Sequence, residues 1–148
     1  MIQRTSHAPA DLYETDETAW LEQTADLVRA GRLGEVDTHA LADYLTGMAK
    51  RDQREVFSRL VVLLCHLLKW EYQPDRRGGS WRGTIREQRR ELRQLLESST
   101  LHRHTAAVFA DAYAEARAQA ADETELAIAT FPGESQWAFD AALGGADG

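Results

Sequence analysis

His66, Lys69 and Trp70 are spaced so that, on a helix, all three lie along one edge, three and four residues apart. Ser80, Trp81, Arg82 and Arg86 follow after a short turn. Together these seven residues describe a pocket for an anion. A serine hydroxyl and the free amides at a helix N-terminus would add to two guanidinium groups, with His66 and Lys69 close by. The competing reading is packing: a core histidine bonded to a neighbouring helix, and a lysine whose ammonium reaches water while its stem stays covered. For His66 the packing reading is preferred. Cys65 and His66 do not make a catalytic dyad, because adjacent helical residues point about 100° apart. A buried, inert thiol is expected instead.

Arginine supplies the second constellation. Between Arg76 and Arg93 stand seven arginines and two glutamates, a local charge of +5, which leaves −12 on the remainder of a chain of net charge −7. Arg82, Arg86, Arg89, Arg90 and Arg93 share one helix, whose Glu87 and Glu91 can pair with only some of them. Three uses are open. The cluster can hold phosphate or another anion, contact a nucleic-acid backbone, or dock on a partner protein through Arg86, Arg89, Arg90 and Arg93, arginine being favoured at such interfaces. Intramolecular neutralisation by Asp111, Glu115, Asp122, Glu123 and Glu125 competes with all three.

Other chemistries lack their patterns. None of the five histidines has a glutamate three residues before it, so the Glu-x-x-His motif of di-iron bundles is missing, as is His-Glu-x-x-His. His102 and His104 are two apart and face different directions on a helix. Gly78, Gly79 and Gly83 are not followed by Gly-Lys-Ser/Thr, so they form no Walker loop. Glycine for turn geometry is the simpler role. No catalytic residue, metal or cofactor is therefore expected. The tryptophans at 20, 70, 81 and 137 fall on four separate segments and read as packing.

The elements that must position these residues follow from periodicity. LVVLLCHLL, from Leu60 to Leu68, has His66 as its only strongly polar residue, and a helix apolar all round is surrounded by other elements. Val56, Leu60, Leu63 and Leu67 make one stripe, and Phe57, Val61, Leu64 and Leu68 the next. The run is too short to span a bilayer, which needs about 20 apolar residues. Pro74 ends this helix, Gly78 and Gly79 turn the chain, and Ser80 is the expected N-cap of the arginine helix. The two should lie side by side as a hairpin.

Upstream, Asp16 caps a helix bearing Trp20, Leu21, Leu27 and Val28 that stops at Gly31 and Gly34. Asp37 caps another carrying Leu41, Tyr44, Leu45 and Met48. Gly47 and the polar run from Lys50 to Arg54 suggest a break before the central helix, a single bent helix being the alternative. Downstream, Ser98, Ser99 and Thr100 cap a helix whose alanines at 112, 116 and 120 admit a close neighbour. Phe131, Pro132 and Gly133 interrupt it, and Ser135 caps a last short helix with Trp137, Ala138 and Leu143. The sum is an all-α, single-domain helical bundle over residues 12–143. It has about five main helices, a central one at about 54–72, a short C-terminal one, and loose tails at 1–11 and 144–148.

His66-Leu67-Leu68-Lys69-Trp70, Tyr72-Gln73-Pro74, and Ser80-Trp81 with Thr84-Ile85 and Arg89 are similar to the bacterial family catalogued as domain of unknown function 29. Trp20-Leu21-Glu22, Leu60 to Leu64, Tyr113 with Ala116, and Phe131-Pro132 extend the resemblance over residues 12 to 143. Ser135 departs from it, standing where the family often has a cysteine, so no thiol role is carried over. The resemblance implies an all-helical fold and cytoplasmic bacterial proteins, and it implies no reaction.

Composition narrows the function classes. One cysteine excludes an internal disulfide framework, and net acidity disfavours general nucleic-acid binding. No secretory or transit pattern opens the chain, so the cytoplasm is the default and no membrane association is expected. The reading that best fits is a non-catalytic protein-interaction module, using its arginine helix to join a partner protein or a second copy. A nucleic-acid-binding regulatory or antitoxin-like protein is the first alternative. A small anion-binding protein or enzyme around His66 and Arg86 is the second.

Overall fold

The apolar stretch around Leu64 forms a helix, and that helix is much longer than the run itself. In the computed structural model, which describes residues 9–145, six α-helices occur and no strand is found among the described residues. They are α1 (Pro9–Thr15), α2 (Glu17–Arg29), α3 (Thr38–Tyr72), α4 (Gly79–Leu95), α5 (Ser99–Thr124) and α6 (Phe139–Ala142). The fold is all-α, as the periodicity requires. Of the tails expected at 1–11 and 144–148, residues 1–8 and 146–148 lie outside the described residues, whereas Pro9 to Asp11 already belong to α1, a helix the sequence reading did not anticipate.

The chain forms two compact units that meet in sequence between Lys50 and Arg51. In the first, Asp16 caps α2 as expected, its carboxylate accepting from the Ala19 amide at 3.1 Å. Gly31 ends α2 at φ +70°, a left-handed conformation that glycine takes without steric cost. Trp20 is fully buried between the rings of Tyr13 and Tyr44, whose centroids lie 4.7 and 5.6 Å away. Asp37 caps α3 by accepting from the Ala40 amide.

No break follows at Gly47. α3 is one helix of 35 residues. A single mid-helix glycine costs only about 1 kcal/mol, and Lys50 to Glu55 is rich in good helix formers, so polarity there marked an exposed face rather than an end. Tyr72 is the last residue of α3, and Gln73 and Pro74 leave it as expected.

In the second unit Val56, Leu60, Leu63, Leu64 and Leu68 are all fully buried. Ile85 and Leu92 of α4, Leu96 just after it, and Ala112, Tyr113, Ala116 and Ala120 of α5 pack on them. The small side chains of α5 let its backbone come close to its neighbours. Two boundaries differ from expectation. α5 stops at Thr124 rather than at Phe131, because the Thr124 hydroxyl turns back to the Ala120 carbonyl and accepts from the Leu126 amide, while Glu125 takes a left-handed φ of 59°. α6 begins at Phe139 with Ala138 as N-cap, so Ser135 caps nothing. Its hydroxyl bonds the Trp137 backbone. Phe131 and Pro132 are pinned to α5 instead, the Pro132 carbonyl accepting from Tyr113 at 2.6 Å and the Phe131 carbonyl from Arg117 at 3.1 Å.

A guanidinium and tryptophan cleft between α3 and α4

α3 and α4 do pair as a hairpin. Arg59 of α3 reaches Gln88 at 3.3 Å, and Lys69 lies over the ring of Trp81 at 5.2 Å. α4 carries arginine at 82, 86, 89, 90 and 93, and the structure sorts these arginines sharply along the helix.

The C-terminal half is occupied. Arg89 donates through Nε to the Ala142 carbonyl at 3.0 Å. Arg93 donates to the Leu143 and Gly144 carbonyls, both at 3.0 Å. The last carbonyls of a helix have no partner within it, so these two side chains supply what α6 lacks. Glycine suits position 144, because its φ of +75° is left-handed and a Cβ there would have to displace the Arg93 guanidinium. Burial, and then the neighbouring charge of Arg93, pull the Arg89 pKa below its usual value. Arg90 pairs with Glu87 and Glu91 of its own helix, both at 2.8 Å. The expected neutralisation by Asp111, Glu115, Asp122, Glu123 and Glu125 is thus replaced by contacts with backbone carbonyls and with α4's own glutamates.

The N-terminal half is open. Trp70 is flanked by two guanidinium groups, that of Arg77 at 5.2 Å and that of Arg82 at 5.6 Å from its ring. Arg77 also donates to the Trp70 carbonyl at 2.6 Å. Arg86, one turn beyond Arg82, is exposed. Among the described residues, no carboxylate pairs with Arg77, Arg82 or Arg86. Leu67, Trp70, Arg82, Ile85 and Arg89 line a cleft of about 340 Å³. Its floor is aliphatic, one wall is an indole, and its rim is cationic, a combination that suits a carboxylate carried beside an apolar group.

The seven pocket residues expected from sequence are not brought together. Trp70 and Arg82 line the cleft; Arg86 is near in register but outside the lining. Ser80 lies inside α4, whose N-cap is Gly78, and its side chain is exposed. The chain enters α4 two residues earlier than the serine suggested, since a glycine N-cap is tolerated nearly as well. His66 is half-buried and its Nδ1–H donates to the Val62 carbonyl at 2.8 Å, while burial holds its pKa below the usual value. Lys69 and Trp81 belong to a different contact.

Lys69 is 8% exposed and pairs with Glu123 of α5 at 2.8 Å. Gln119 donates to the other carboxylate oxygen at 3.1 Å, and the Cys65 thiol donates to Glu123 at 3.3 Å. The bond from Lys69 brings the Glu123 pKa down to about 2, against burial. Burial and the Glu123 charge push the Cys65 thiol up to about 12, so it stays protonated and unreactive. The cluster ties α3 to α5 and supplies no nucleophile.

Sequence reasoning missed Leu67, Ile85 and Arg89 as parts of one cleft. The spacing was present, three residues from Leu67 to Trp70 and three and seven from Arg82 to Ile85 and Arg89, but nothing in it said which stripe of α4 would be left uncovered. Among the described residues, no group of three or more His, Cys, Asp or Glu is placed to hold a metal ion. No described helix is long and apolar enough to cross a membrane. No curated protein and no solved structure matches the chain. The motifs from HLLKW to SW span the end of α3 and the start of α4, and residues 12–145 match one family model. The chain belongs to the all-helical family described as Domain of unknown function DUF29.

Proposed function

We propose that the protein is a non-catalytic interaction module that docks an acidic surface of a protein partner on the open half of α4. The observation that carries this reading is the arrangement around Trp70. Two guanidinium groups lie over one indole beside an apolar cleft, with no carboxylate of the described residues answering them. Arginine held over an aromatic ring is partly ordered before binding, so less side-chain freedom is lost when a carboxylate arrives. The buried thiol and the backbone-bonded imidazole speak for packing rather than catalysis at Cys65 and His66.

The test is capture on the immobilised full chain, wild type against Arg82→Glu/Arg86→Glu, with native mass measured in parallel. Expected is an acidic protein, the chain itself included, that elutes with salt and is lost in the variant. The same captured proteins and the same native mass in both would overturn the reading. A nucleic-acid probe retained in place of protein would overturn it in favour of backbone contact.

A further inference from the structure

We infer that the acidic surface received by this cleft is the turn after α5 of a second copy of the same chain, so that the protein is a two-fold symmetric dimer. The inference rests on the docking reading above and names its partner. Three observations carry it.

The first is chemical fit. The cleft wants a carboxylate beside an aliphatic group, and the turn after α5 offers both. Glu125 is exposed, and Ile128, 47% exposed, is among the few large apolar side chains left open to solvent. Asp122 and Glu134, also exposed, add charge of the same sign nearby in sequence. Within one chain neither Glu125 nor Ile128 lines the cleft.

The second is place. α3 ends, α4 begins and α5 ends at the same end of the second unit, as the Lys69–Glu123, Lys69–Trp81 and Tyr72–Phe131 contacts fix. Cleft and turn therefore share one end. A surface that carries both a socket and its complement can pair with itself about a two-fold axis, each contact occurring twice.

The third is the backbone at Glu125. Its φ of 59° is a conformation that glycine takes freely and that a side chain with a Cβ takes at a cost. That backbone ends α5, but the Glu125 carboxylate itself stands in solvent and meets no cation among the described residues. It gains a guanidinium partner in the dimer.

Sedimentation equilibrium on the full chain tests this. Wild type is expected at twice the 16.6 kDa of one chain. Arg82→Glu alone and Glu125→Arg alone should each weaken self-association by about a hundredfold or more, because each sets like charges against each other twice. An equimolar mixture of the two should dimerise again, since both contacts across the mixed pair are then of opposite charge. Glu125→Gly guards against a trivial result: the turn is relieved, the chain stays folded by circular dichroism, and the dimer still weakens. A monomeric wild type overturns the inference, as does a dimer indifferent to both single reversals. If that occurs while Arg82→Glu/Arg86→Glu still loses an acidic partner from the capture experiment, the docking reading survives and only the identity of the partner falls.

Discussion

The two halves of α4 use the same side chain for opposite ends. Arg89 and Arg93 are spent on the carbonyls that close α6, and they act as parts of the fold. Arg82 and Arg86, two turns and one turn before Arg89, meet no carbonyl and no carboxylate of the described residues, and what they offer is outward. What differs is the neighbour: the C-terminal half faces a helix end with unsatisfied acceptors, the N-terminal half faces an indole and an aliphatic floor. An arginine count cannot separate a structural guanidinium from an available one. The acceptors in front of it can.

The largest effect that would break this contrast is Arg89→Ala. It leaves the Ala142 carbonyl without its donor beside a buried residue, and should cost about 1–3 kcal/mol in denaturant unfolding. A loss no greater than that of Arg86→Ala would mean that the two halves are energetically alike. Gly144→Ala attacks the same contact from the other side. A left-handed residue with a Cβ, crowding Arg93, should cost about 1–2 kcal/mol, read as a lowered thermal midpoint.

The next effect concerns Lys69 and Glu123, a basic contact of the α3–α4 hairpin that is answered from α5. Glu123 titrates near 2 in the fold against an ordinary 4.5, so its contribution is present above about pH 4.5 and is lost as pH falls toward 2. The side chain is 41% exposed, and screening reduces the contribution to about 1 kcal/mol. Thermal midpoints measured from pH 6 to pH 3 should fall less steeply in Glu123→Gln than in wild type. The smallest effect is that of Arg86→Ala, within about 0.5 kcal/mol of wild-type stability. A larger loss would show that the open half of α4 is structural after all.

Much of this architecture was legible before any coordinates. Asp16, Asp37 and Ser98 cap the helices they were expected to cap, Gly31 and Pro74 end the ones they should end, and the stripes around Leu64 are buried. These signals are local: a side-chain oxygen within reach of an amide three residues on, a φ that only glycine takes freely, a period that matches the helix. The signals that failed were also local but weak. Gly47 did not break α3, Ser80 did not cap α4, and Ser135 did not cap α6, because each competes with helix propagation or with a nearer backbone partner by only about 1 kcal/mol.

Taken alone, the sequence determined that the chain is helical, where the apolar rod of α3 lies and which helix bears the arginines, since these follow from periodicity and composition along a few turns. Tertiary structure alone decided which guanidinium groups are engaged, that Lys69 turns to Glu123 rather than joining Trp70 and Arg82, and that Leu67, Ile85 and Arg89 share a cleft. The contacts of Lys69, Arg89 and Arg93 depend on acceptors brought in from 50 or more residues away, the cleft depends on how α3 and α4 face each other, and sequence spacing carries no record of either.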